Sequence, residues 1–236
     1  MRRVLSLCVA VLLLRGLVGC ESGEIEETGT TGPAFEFTEA WGTPGMEPGQ
    51  FREPIGIAIG PGGATFLSEA QNRRLQVFGP EGTFRRQMGT ALAHGDSLRR
   101  PMHLAAADSV LYVPDFNTDR VHVLSLDGEL QESLEASASG AGFDAPGGVA
   151  VDERGRAYVA DFYHHRVLRF DADGTFDRQW GETDSTGSVP ERFTYPTDVT
   201  TLPGGGFVVA DAYNHRIKRY DADGRLAWVR PDGRDW

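Results

Sequence analysis

Cysteine is nearly absent, with two in 236 residues. Basic side chains are in deficit, with 23 Lys and Arg against 34 Asp and Glu and a net charge of −11. A nucleic-acid groove needs clustered cations opposite phosphate, so no nucleic-acid partner is expected. Long apolar stretches are missing too. The run Val4 to Leu14 is 11 residues, well short of the ~20 that cross a bilayer as a helix. There is no Gly-x-Ser-x-Gly elbow, no P-loop and no dinucleotide fingerprint. Turn residues, in contrast, are plentiful: 30 Gly and 13 Pro, spread along the chain. Their even spread argues against collagen and low-complexity disorder and for a turn-rich, mostly β protein.

The first twenty residues read as an address. Arg2 and Arg3 precede the apolar run, and Leu17-Val18-Gly19-Cys20 follows it. This layout is that of a signal peptide, and its end resembles the lipobox of bacterial lipoproteins. Arg15 inside the apolar region departs from that pattern. The resemblance implies cleavage after residue 19, lipidation of Cys20 and an extracytoplasmic, membrane-anchored protein of the cell envelope. Cys8 then leaves with residues 1–19, so the mature domain has no disulfide and no thiol catalysis. Loss of Arg2, Arg3 and Arg15 takes the net charge from −11 to −14. Residues 20–34 read as the lipidated Cys and a flexible acidic tether.

Residues 35–236 are repetitive. Segments 51–89, 98–135, 143–181 and 193–233 align. The acids Glu69, Asp115, Asp161 and Asp211 are spaced by 46, 46 and 50 residues. The arginines Arg74, Arg120, Arg166 and Arg216 keep the same intervals, as do Gly82, Gly128, Gly174 and Gly224. Each repeat holds four short β runs, a to d, with an Asp-Gly or Glu-Gly hairpin before the last. Four antiparallel strands per repeat of this length is the grammar of a β-propeller blade. The expected fold is all-β, a propeller of four four-stranded blades. The alternative is an open arc completed by oligomerisation, because exposed terminal blade faces are normally capped.

The run Val-Ala-Asp-Ala-Tyr-Asn-His-Arg-Ile at 209–217 resembles the NHL repeat, and Val-Ala-Asp-Phe-Tyr-His-His-Arg-Val at 159–167 is close to it. The first two repeats are degenerate in this stretch. The resemblance implies a propeller, most often six-bladed, and a role as interaction platform or sensor domain. Some relatives of this kind are enzymes: zinc-holding amidating lyases, lactonases and other hydrolases. The register has one oddity. Residues 35–42 (FEFTEAWG) match strand d, yet the fourth repeat has its own strand d at Arg225 to Val229. Either one of the two is displaced or the ring does not close in the usual way.

The acid and arginine of each repeat fall at the b–c turn, five residues apart. We read them as structural pairs in which the acid accepts turn amides and the arginine closes the turn by a salt bridge. Among the six histidines, His165 and His215 share a repeat column and read as structural, and His122 reads as a surface residue on strand c. His103 sits two residues after Pro101, at the channel end of strand a, in one column with Gly56, Gly148 and Asp198. In a four-bladed ring His103 and Asp198 would approach across the axis and could begin a divalent-metal site, although catalytic zinc normally has three protein ligands.

The d–a and b–c loops share one face. That face collects Phe116, Asn117, Tyr163, His164, Tyr213 and Asn214, a mixture of rings and polar groups suited to a peptide, protein or glycan. The expected function is a lipid-anchored binding scaffold with no required cofactor. The alternative is a metal-dependent lyase, lactonase or hydrolase at the channel.

Overall fold

A computed structural model describes residues 40–230. The expected signal peptide, the expected lipidation site Cys20 and the expected tether lie outside the described residues. Two short strands, β1 (Thr43–Pro44) and β2 (Gln50–Phe51), pair in parallel ahead of the repeats. Four antiparallel sheets follow, each a meander of four consecutive strands and each a propeller blade. Blade 1 is β3 (Pro54–Ile59), β4 (Thr65–Glu69), β5 (Arg74–Phe78) and β6 (Phe84–Met88). Blade 2 is β7 (Ala105–Ala107), β8 (Val110–Asp115), β9 (Arg120–Ser125) and β10 (Leu130–Ser133). Blade 3 is β11 (Pro146–Val151), β12 (Ala157–Asp161), β13 (Arg166–Phe170) and β14 (Phe176–Gly181). Blade 4 is β15 (Pro196–Thr201), β16 (Phe207–Asp211), β17 (Arg216–Tyr220) and β18 (Leu226–Arg230).

Both faces of an inner blade are buried, which explains why its middle strands are apolar on both sides. Every residue of β12 and β13 is buried. The core is divided among the blade junctions. Phe66, Leu75 and Val77 of blade 1 meet Leu104, Leu111 and Val113 of blade 2. Val121 and Val123 meet Val149, Val159 and Leu168 at the next junction. Tyr158 and Val167 meet Val199, Phe207 and Tyr220 at the third. Each such side chain contributes about 1.5–3 kcal/mol by leaving water. Among the described residues no buried apolar cluster joins blade 4 to blade 1. Ile57 and Ile59 on blade 1 and Ile217 on blade 4 stay exposed.

The c–d hairpin glycines are where one blade meets the next. Gly82, Gly128, Gly174 and Gly224 all have left-handed φ, from 69° to 96°, a conformation only glycine adopts freely. A Cβ on Gly224 would lie 2.7 Å from the Trp180 ring, and one on Gly128 would lie 2.8 Å from Met88. Strand d of blades 1, 2 and 3 thus rests on the hairpin of the blade that follows it. Trp41 lies over Gly82 in the same way and packs against Phe78, tilted, with ring centroids 4.6 Å apart. The register oddity resolves here. β18 completes blade 4, and of the d-like segment Trp41 sits on blade 1 as the end of a preceding blade would.

Candidate functional site

The b–c turns build the loop face. In blade 3, Asp161 ends β12 and is fully buried. It accepts the Asp144 amide at 2.8 Å, Arg166 Nε at 2.7 Å and His164 Nδ1 at 3.0 Å. The Arg166 guanidinium reaches on to the Ala141 and Gly142 carbonyls of the incoming d–a loop. Burial pushes the Asp161 carboxyl up, against the pull of the Asp144 amide and the guanidinium. Glu69 with Arg74 and Asp211 with Arg216 repeat the arrangement, each with Nε at 2.6 Å. In these three blades the pair is a clamp that ties loop to turn.

Blade 2 breaks the rule expected of all four. Arg120 does not close its turn on Asp115. It swings outward, its side chain 54% exposed, and pairs with Asp96 at 2.7 Å. Asp115 is held instead by the amides of Arg99, Arg100 and Asn117. His122, expected at the surface, is fully buried. It occupies the column of Gln76 and Lys218, which the d–a loops cover, so its face of strand c is an interior one.

The candidate face sorts into two groups. Asn214 donates to Asp211 and to the Gly187 carbonyl, and His164 is spent on Asp161, so both belong to turn networks. Asn117 is exposed. Phe116, Tyr163 and Tyr213 join two rings the sequence reading did not single out, Phe162 and Tyr195. Phe116 lies 5.8 Å from Phe162 and from Tyr163. Tyr195 lies 4.9 Å from Phe162 and 4.7 Å from Tyr213. Phe162 was legible, since it holds the repeat position of Phe116. Tyr195 was signalled only by its place before Pro196. Tyr195 has φ of 51°, a strained value for an aromatic residue. It is held there by its amide donating to His165 Nδ1 at 3.2 Å and by the His165 ring at 4.4 Å.

Beside this row lies a cavity of about 520 Å³, lined by Arg100, Met102, His103, Phe116, Phe162 and Thr197, among others. Arg100 is fixed by Glu53 of the neighbouring blade at 2.5 Å. His103 Nδ1 and Asp198 Oδ2 are 3.5 Å apart. They meet over blade 3: a Cβ on Gly148 would fall 2.5 Å from both the Asp198 Cα and its Oδ1. The blade 3 glycines lie beside both, the Gly147 carbonyl accepting the His103 amide at 3.3 Å. Burial raises the Asp198 carboxyl pKa and His103 pulls it back. Among the described residues no group of three or more His, Cys, Asp or Glu could hold a metal ion.

Residues 143–170 and 193–220, in blades 3 and 4, match the family model of the NHL repeat. The protein brain tumor of Drosophila melanogaster is 26% identical over 140 residues, 58% of this chain and 13% of that protein. A streptogramin B lyase superposes with a TM-score of 0.57 at 15% identity, over 75% of this chain and 54% of its own. A protein of unknown function from Bacteroides thetaiotaomicron superposes with a TM-score of 0.58 at 23% identity, over 71% of this chain and 47% of its own. The chain therefore spans about half the length of these solved structures. At such identities the structural likeness speaks for the propeller fold.

Proposed function

We propose that the chain is a binding module of the cell envelope. Cys20 anchors it by lipid, and the d–a/b–c loop face takes a peptide, protein or glycan ligand. The observation that carries this is the row of Phe116, Phe162, Tyr163, Tyr195 and Tyr213 beside the 520 Å³ cavity. Rings with an apolar face and a polar edge suit such ligands, and they lose little entropy on binding. Tyr163 and Tyr213 are 46% and 61% exposed, so a ligand can reach them. Two tyrosines replaced together, Tyr163→Ala and Tyr213→Ala, should abolish capture on peptide and glycan arrays and leave the melting temperature unchanged. Undiminished capture by the double variant would overturn the assignment. Cys20→Ser should release the protein from membranes, and retention would sink the anchor.

A second reading rests on the His103–Asp198 pair. It makes the chain a metal-dependent lyase or hydrolase at the channel mouth, the pair supplying two ligands where catalytic zinc normally has three from protein. Elemental analysis of the purified protein decides. Stoichiometric zinc or calcium, lost in His103→Ala, favours the enzyme, and a metal-free protein removes it.

A further inference from the structure

The three blade junctions are made alike. A strand-a residue of one blade shares a buried cluster with a strand-c residue of the blade before it. Leu104 lies with Leu75 at the first junction, Val149 with Val121 at the second and Val199 with Val167 at the third. Two columns of the repeat therefore mate each time. Leu104, Val149 and Val199 are at most 7% exposed, and Leu75, Val121 and Val167 are fully buried. The first column also holds Ile57, and the second also holds Ile217. Ile57 is 61% exposed and Ile217 is 39% exposed. Each is an apolar residue of its column, left in water.

The two open faces belong to opposite ends of the blade series. The innermost strands pack in order, β3 on β7, β7 on β11 and β11 on β15. Blade 1 keeps Ile57, Ile59 and half-buried Leu67 on the side that later blades turn to their predecessor. Leu67 stands in the column of Val159 and Val209, both fully buried. Blade 4 keeps Val208, Ala210 and Ile217 on the side that earlier blades turn to their successor, along a groove of about 170 Å³. In blade 3 the residues in those places, Tyr158 and Val167 among them, are buried under blade 4. The chain thus carries half of a junction at each end, and the two halves are complementary. Trp41 already fills the Gly82 seat on blade 1. The blade 4 residue in line with Met88 and Trp180 is Arg230, which brings no ring to that seat. A blade arriving there needs only the inner part of the face.

We propose that these faces mate between two copies of this chain. Blade 4 of one copy seats on blade 1 of the other, and a two-fold axis repeats the contact. The groove on blade 4 corresponds to the place on blade 3 where Val199 lies, so Ile57 is the side chain that fits it. An unrelated partner would have to imitate a strand-a face, whereas a second copy already carries one. Covering such apolar surface drives the association. A head-to-tail contact gives a ring where its rotation closes, and two copies make eight blades, the upper end of the usual range for such rings. The superpositions suit this arrangement, since the four blades overlay 54% and 47% of two longer chains of the same fold. The pairing does not rest on the aromatic row.

The test measures the mass of the full chain in density-matched detergent by sedimentation. The unsubstituted chain should be a discrete dimer. Ile57→Asp and Ile217→Asp should each weaken it at least about a hundredfold, because each substitution strikes both junctions of the pair. Both positions are exposed within one chain, so the circular dichroism of each variant should match that of the unsubstituted chain. Ile59→Asp repeats the first arm if Ile57→Asp does not fold. Mixed together, Ile57→Asp and Ile217→Asp should pair through one intact junction, since one copy keeps a sound blade 4 and the other a sound blade 1. The double variant Tyr163→Ala, Tyr213→Ala should stay dimeric, which separates this pairing from ligand capture. A monomeric unsubstituted chain, its faces open or covered by residues 1–39, would overturn the proposal. So would open-ended filaments, a dimer that either substitution leaves intact, or two variants that stay apart when mixed.

Discussion

Blades 3 and 2 are neighbours built to one plan, and their b–c turns behave differently. In blade 3, Arg166 is wholly buried and binds Asp161, Gln179, Thr183 and the loop carbonyls together. In blade 2, Arg120 is half in water and holds Asp96 alone among the acids. The acid–arginine spacing is the same in both. The arginines end in different places: Arg166 among Asp161, Gln179 and the loop carbonyls, and Arg120 on Asp96. A buried charge is retained only where each of its donors finds an acceptor. The repeat motif therefore specifies the turn, and residues far from it in sequence decide whether the clamp closes.

This contrast can be tested by substitution. Arg166→Ala leaves Asp161 buried and uncompensated and should cost about 3–5 kcal/mol in urea unfolding. A cost below about 1 kcal/mol would mean that the clamp is ornamental. Gly148→Ala sets a methyl against the Asp198 backbone. It should destabilise by about 1–3 kcal/mol and separate His103 from Asp198, visible by NMR as loss of the contact between the two side chains.

Blade 4 supplies a pH arm. There the clamp is joined by Lys218, fully buried, 3.6 Å from Asp211. Burial outweighs the attraction of Asp211 and holds the lysine pKa down at about 8. The unfolded chain then keeps a proton that the folded one releases between pH 8 and the ordinary lysine value. Stability should rise by about 1–2 kcal/mol from pH 8 to 10. Above pH 10 it should fall, because burial raises the Tyr220 hydroxyl pKa and the unfolded state ionises first. Lys218→Met should flatten the rise. The smallest effect belongs to blade 2. Arg120→Ala should change stability by less than about 1 kcal/mol, as for an exposed pair, and a larger loss would show that the outward pose is wrong.

The blades, their strands and the turn acids were legible because they recur in register, and period-two strands between glycine turns carry their own signature. What escaped was what repetition cannot encode. His122 alternates as a surface residue would, yet a loop from an earlier stretch covers its column. Arg120 looks like its sisters in sequence, yet it pairs outward with Asp96. Phe162 could be found by column, whereas Tyr195 depends on a backbone held left-handed by His165.

The seat of Trp41 over Gly82 also bears on how the chain folds. The same seating recurs from Met88 to Gly128 and from Trp180 to Gly224, each time reaching forward by about one repeat. Formation of a blade then asks the chain to close one repeat-sized loop onto a surface already made, and closure entropy grows only slowly with loop length. Assembly can start at any junction, the aromatic-rich one between blades 3 and 4 included, and extend outward as a zipper, its rate set by single-repeat searches.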